Sequence, residues 1–254
     1  KILSEHHGFK CTVLFAIDPK SGEIKPDHQT NIPGLGVLGK ADMMVLFTRF
    51  RELPDEQMKH IIDYTDSGRP ILGLRTSTHA FAYRRNKQSK YARYTFNSRS
   101  PKGGYGGVVL GDTWLNHHGG HGRESTRGVI NPKQKSHPIL KGVSDVWGPT
   151  DVYGVRRLPD DTRVLLHGQV VAGMKPTDPP LKGKKNDPMM SLAWTRAYKS
   201  ASGKTARVIC TTMGASVDLE SAGLRRFLVN ACYWGMGIEK QIPAKSNVDY
   251  VGVY

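Results

Sequence analysis

Apolar residues along this chain gather into short, unbroken runs separated by long polar stretches rich in Gly and Pro. Cys11 to Ile17 (CTVLFAI), Met43 to Thr48 (MMVLFT), Ile71 to Leu74 (ILGL) and Arg207 to Met213 (RVICTTM) are such runs, dominated by β-formers. A run of this length without polar alternation predicts a strand buried on both faces, as in a parallel sheet. Between Thr48 and Ile71 the period changes. Met58, Ile61, Ile62 and Thr65 recur at helical spacing behind Pro54, Asp55 and Glu56, with Gly68 beyond them. Acids in a first turn and glycine after the last one fit a helix that starts and stops there. Strand, helix, strand is a βαβ unit, which requires a parallel pair and a right-handed crossover.

Lys1 to His7 reads as the end of an amphipathic helix stopped by Gly8. Residues 18 to 40 read as a Pro/Gly-rich loop. Beyond residue 85 the pattern loosens. Val108 to Leu110, Val152 to Val155, Arg163 to Leu166 and Leu192 to Tyr198 suggest strands in an antiparallel or mixed region, and 111 to 137 reads as loop. A last helix is expected from about Leu219 to Trp234, with Leu224, Phe227, Leu228 and Ala231 inward and Arg225, Arg226 and Asn230 facing water. Residues 239 to 254 read as an irregular tail. The whole predicts one α/β domain over residues 1–254: a flavodoxin-like, doubly wound, mostly parallel sheet with an added antiparallel or irregular region.

Composition refines this picture in three ways. The net charge is +15, and Arg84, Arg85, Lys87, Lys90, Arg93, Arg99 and Lys102 fall in one stretch with no acid among them. Lys175, Lys182, Lys184 and Lys185 make a second cluster. Both lie among loop residues without a helix-turn-helix, zinc-finger or RNP pattern, so solvated charge or an anion-binding face is expected and nucleic acid is not the expected partner. Cys11, Cys210 and Cys232 sit in apolar surroundings and read as buried thiols. There is no apolar run long enough for a membrane span. A soluble protein is therefore expected, cytoplasmic or exported with its signal sequence outside this stretch, which opens at Lys1 without methionine. A homodimer is compatible with everything in the sequence.

In open parallel sheets, ligands bind beyond the carboxyl ends of the strands. The segments expected there are Arg49 to Glu52, Arg75 to His79, Asn116 to His121 and Met213 to Ser216. Gly73-Leu74-Arg75 resembles the turn that mounts a nucleophile, but places a guanidinium there. Arginine cannot attack; it can hold a carboxylate, phosphate or polarised carbonyl through paired N–H groups. Arg49, Thr76, Ser77 and His79 would assist in binding, although the hydroxyls would equally serve as helix caps. His117-His118-Gly119-Gly120-His121 offers three imidazoles between glycines. His117 and His118 suit proton transfer, the three rings together suit a divalent metal such as zinc, and a purely structural loop is the third reading. Asp151, Tyr153, Trp194 and Arg196 supply polar groups beside aromatic faces, as in carbohydrate stacking, with core packing the alternative for each tryptophan.

At these residues a family resemblance appears. Gly111-Asp112-Thr113-Trp114 through His117-His118, His137-Pro138-Ile139-Leu140-Lys141-Gly142 and Thr150-Asp151-Val152-Tyr153 resemble the middle of ThuA-like, or trehalose-utilisation, domains. Ala193-Trp194-Thr195-Arg196, the segment from Gly203 to Gly214 and the helix Arg225-Arg226-Phe227-Leu228-Val229-Asn230-Ala231 continue the likeness, which spans about residues 40 to 240. The resemblance implies the class I glutamine amidotransferase-like superfamily and a small sugar-like or anionic ligand. Two departures matter. Arg75 stands where the amidotransferases carry cysteine, and Gly214-Ala215 where this family carries Gly-His, so glutaminase chemistry is not expected. The family also begins with one more strand near the middle of its sheet, for which this sequence offers no counterpart.

Overall fold

The computed structural model describes residues 1–156 and 158–253. Among them seven strands form one mixed sheet: β1 (Met44–Leu46), β2 (Ile71–Leu74), β3 (Ser125–Ile130), β4 (Val146–Gly148), β5 (Thr162–Val171), β6 (Met190–Lys199) and β7 (Thr205–Thr211). Their order across the sheet is β1-β2-β7-β6-β5-β3-β4. The helices are α1 (Ile2–His7), α2 (Asp55–Asp66) and α3 (Ala222–Gly235). No helix of the described residues is long and apolar enough to cross a membrane. The chain is α/β, as the apolar runs imply. It divides into two compact units, one holding Thr12–Trp114 with Arg196–Val208, the other Lys1–Cys11, Leu115–Thr195 and the chain from Ile209 onward.

The first of these units contains the βαβ element. β1 and β2 pair in parallel, Met44 against Ile71 and Leu46 against Gly73. Met58, Ile61, Ile62 and Thr65 of α2 are buried, as their spacing predicts. Thr65 Oγ1 also meets the hydroxyl of Tyr105 at 2.9 Å, so the helix is tied by a polar contact as well as by apolar area. At Gly73 a Cβ would come within 2.9 Å of Leu110, so the strand must lack a side chain for Leu110 to pack on it.

Three expectations fail here because the apolarity of a run fixes neither its ladder partner nor the surface that covers it. Cys11 to Ile17 is not a buried strand. Ile17 makes a single bridge to Ile24, only Ala16 is buried, and Val13 is 67% exposed. Cys11 is exposed too. β1 lies at the sheet edge, so Val45 and Phe47 are exposed while Met44 and Leu46 alone are buried. Val108 to Leu110 closes a π-helical turn, Gly106–Leu110, rather than a strand.

The other unit carries the antiparallel part. β3 runs antiparallel to both β4 and β5, pairing Thr126 with Gly148 and with Val170. The sheet is therefore mixed, and the segment read as a Gly/His-rich loop supplies one of its strands. Val152 to Val155 forms no strand beyond a bridge at Tyr153. α3 buries more of its circumference than its apolar stripe predicts. Arg226 and Asn230, expected to face water, are buried. Asn230 donates from Nδ2 to the carbonyls of Ile139 and Lys141 and accepts from Ser246 Oγ, while Arg226 Nε donates to Ser246 O. The tail thus covers the helix's polar side, and Ile242 and Val248 join Val229 and Tyr233 in a core cluster. An amide or guanidinium tolerates this because its donors meet carbonyls there.

Because α/β pairing at β1 is one-sided, neighbouring positions should respond very differently. Leu46→Ala is expected to lower unfolding free energy by about 2–4 kcal/mol, whereas Val45→Ser should change it by less than about 0.5 kcal/mol. Chemical denaturation of the two variants measures the contrast, and equal losses would contradict the one-sided burial.

Candidate functional site

The histidine run owes its shape to two glycines and a neighbouring segment. His118 and Gly119 both donate backbone N–H to Val152 O, Gly154 donates to Asn116 O, and His117 bridges Tyr153. At Gly119 a Cβ would lie 3.1 Å from Val152 N and 3.2 Å from Asp151 Cβ, so glycine permits the close approach. The chain then turns, with Arg123 and Glu124 donating back to Gly120 O. This turn brings His121 beside His117, with ring centroids 4.5 Å apart.

Both rings meet one carboxylate. His117 Nδ1 lies 2.7 Å from Asp151 Oδ2, and His121 Nδ1 lies 2.8 Å from Asp151 Oδ1. Asp151 is buried, while His117 is partly open and the His121 side chain is 70% exposed. An ionised carboxylate only accepts, so each Nδ1 carries the proton it donates and each Nε2 is the basic nitrogen of its ring. The Tyr153 ring stands edge-on to His117 at 5.7 Å. His117, His121 and Asp151 also have the right donors to hold a metal ion, one ligand atom from each lying within 4.8 Å of the others.

His118 points elsewhere. Its Nε2 pairs with the carbonyl of Lys185 at 2.9 Å, so it does not join its two neighbours in this set. Lys185 Nζ in turn donates to both oxygens of Glu124, which also accepts the Gly120 N–H. Burial works to raise the Glu124 carboxyl, but the Lys185 and Gly120 hydrogen bonds outweigh it and hold the group below its ordinary 4.5. One residue before Asp151, Thr150 donates through N and Oγ1 to the buried Asp218, which also accepts the N–H groups of Gly214 and Ala215. A Cβ at Gly148 would fall 2.3 Å from Asp218 Oδ1. Two buried carboxylates therefore fix consecutive residues.

The turn after β2 belongs to the other compact unit. Arg75 is buried and has φ +34°, a value that L-residues rarely adopt, so the turn read from Gly73-Leu74-Arg75 is strained. A 3₁₀ turn, Arg75–His79, follows. Ser77 is buried and its hydroxyl donates to Leu46 O, so it staples the turn to β1 instead of facing a ligand. Thr76 is half-buried. His79 is buried among Phe50, Trp114 and Phe96, at 4.9, 5.3 and 6.3 Å between ring centroids. Arg49 is exposed, and with Arg84 it flanks the Phe50 ring, their guanidinium carbons 5.9 and 5.1 Å from its centroid.

Two expected binding residues are placed structurally. Trp194 in β6 is wholly buried and presents no face to a sugar, so core packing is its role. Arg196 Nη1 donates to Val108 O and its guanidinium lies 5.6 Å from the Tyr198 ring centroid. Glu124, Lys185 and Phe96 were not among the expected site residues, and Phe50 and Trp114 entered only as members of the segment Arg49 to Glu52 and of the motif Gly111 to Trp114. Only Glu124 carried a signal, an acid three positions after His121 in a glycine-rich segment; Lys185 was hidden in a run of loop charge.

No family model and no curated protein matches this chain. Among solved structures it is similar to a protein of Bacteroides uniformis ATCC 8492 described as ThuA-like, at 15% identity over 79% of this chain and 71% of the other, with a TM-score of 0.48. A protein of Parabacteroides merdae ATCC 43184, also described as ThuA-like, gives 16% identity over 85% and 75%, with a TM-score of 0.47. A cytoplasmic protein of Salmonella typhimurium LT2 gives 14% identity over 84% and 77%, with a TM-score of 0.38.

The Glu124 pair makes a prediction with a definite sign. Because folding lowers this carboxyl, the pair stabilises the fold at pH above 4.5, and that contribution disappears as pH falls through the lowered value. Wild type should therefore exceed Lys185→Met in stability at neutral pH, with the gap closing on acidification below 4.5. Denaturation midpoints measured from pH 7 to about pH 3 test this, and a gap that widens with acid would refute it.

Proposed function

We propose that this chain is a ThuA-like protein of the amidotransferase-like superfamily that binds and processes a carbohydrate derivative, of the trehalose-type disaccharides or their oxidised relatives. Its working centre is His117, Asp151 and His121. The observation that carries this reading is one buried carboxylate shared by two partly open imidazoles. Such a carboxylate orients each ring, sets its tautomer and stabilises the imidazolium that forms when the ring takes a proton. Hydroxyl and carbonyl groups of sugars are the kind of substrate on which this proton transfer acts.

Glutaminase chemistry is not part of the proposal. It needs a thiolate and a histidine that activates it. Arg75 occupies the strained turn, and Gly214-Ala215 offers no imidazole. A buried guanidinium in that turn suits recognition of an anionic or carbonyl-bearing group by the unit that carries it. A second reading, a binding domain without turnover, is favoured by that same replacement of a nucleophile by Arg75.

Titration calorimetry with trehalose, related disaccharides and their oxidised derivatives, paired with product analysis, tests the reading. Wild type is expected to bind and convert one of them, with turnover falling about 10²–10⁴-fold in Asp151→Asn. Binding without conversion would select the non-catalytic reading. No binding across the whole set would remove the carbohydrate assignment.

A further inference from the structure

We infer that His117, His121 and Asp151 bind one divalent first-row transition-metal ion of the zinc class, and that His118 lies outside its coordination sphere. The inference concerns the same centre as the proposed function and names the ion that would work there. Two nitrogen donors and one carboxylate oxygen match borderline metals such as zinc or ferrous iron, whereas calcium and magnesium prefer oxygen throughout. Three protein ligands with positions left over are the pattern of a catalytic site rather than a closed structural one.

The ligand atoms lie within 4.8 Å of one another, so the widest pair must close by as much as about 1.5 Å to bind an ion. Zinc bonds of about 2.0–2.1 Å in tetrahedral geometry separate neighbouring ligand atoms by about 3.3 Å. The ring nitrogens now stand 2.7 and 2.8 Å from the carboxylate oxygens, so an ion entering between them needs each contact to open by roughly half an ångström. His121 can supply that movement because its side chain is largely exposed. Neutral imidazole accommodates the ion without net proton loss: the proton shifts from Nδ1 to Nε2, and the Nδ1 lone pair becomes the ligand. The buried Asp151 then has a cation at its oxygens, which offsets the burial of its charge.

The surrounding backbone holds the set in place before any ion arrives. Val152 O fixes His118 and Gly119, and the Gly120 carbonyl fixes the turn through Arg123 and Glu124. The Lys185 carbonyl holds the His118 ring away. That separates this arrangement from a site made of the three histidines. Ligand access comes from the His121 side, and the open positions would take water or a substrate oxygen. A bound water there becomes acidic enough to act near neutrality, the chemistry the ion supplies to the centre.

Equilibrium dialysis of the chelator-stripped full chain against Zn(II), and visible absorption with Co(II), test the assignment in the absence of any sugar. One equivalent of Zn(II) is expected, with affinity at least about a hundredfold weaker in His121→Ala and in His117→Ala. His118→Ala should retain wild-type affinity within about threefold. Because His121 is exposed, its alanine variant should fold, and circular dichroism confirms that before binding is read. Substoichiometric binding, binding indifferent to His121→Ala, or binding lost in His118→Ala would each overturn the site. A chain that binds zinc in this way but ignores every disaccharide keeps the metal site and loses only the carbohydrate reading.

Discussion

A carboxylate removed from water must be met by donors, and that requirement at Asp151 organises the part of the chain with the clearest chemistry. Each of its oxygens receives an imidazole, and both imidazoles come from a five-residue stretch turned by Gly119 and Gly120. A buried carboxylate oxygen favours such donors, and the two contacts help hold the histidine segment against the acid. Asp218 repeats the logic one residue away: Thr150, Gly214 and Ala215 all donate to it. The loop after β7 is thereby tied to the residue that precedes Asp151. Electrostatic satisfaction, more than apolar packing, positions this centre.

The turn at Arg75 shows a different economy. Its φ of +34° is a cost that β2 and the 3₁₀ turn around it sustain, and Ser77 contributes by capping the carbonyl of Leu46. Strain of this kind ordinarily projects a reactive group. Here the strained position carries a guanidinium that cannot attack, and the turn ends at His79, whose ring packs among Phe50, Phe96 and Trp114. A strained, buried turn of the kind that can mount a nucleophile is present without the nucleophile.

Some of this was legible from residue order alone. The inward face of α2 was readable because helical periodicity is local, and α1 ends at Gly8 in the left-handed conformation its sequence invites. The turn after β2 was readable because Gly73-Leu74-Arg75 is a local pattern. The histidine segment stood out as chemistry, but which rings act together did not. Asp151 lies 34 positions from His117 and 30 from His121. Its expected place in ligand binding says nothing of its contacts with His117 and His121, which set those two rings apart from His118.

What the sequence by itself determined is the α/β character, the helix faces, the turn at Arg75 and the inventory of titratable groups, because periodicity, glycine placement and residue type act within a few positions. Tertiary structure alone decided the rest. It left Cys11 to Ile17 without a ladder partner, put β1 at an edge, made Trp194 core, and turned Arg226 and Asn230 inward under the tail. Each of these outcomes depends on which distant segment provides a hydrogen-bond partner or a covering surface. That information resides in the packing of the whole chain and not in any window of it.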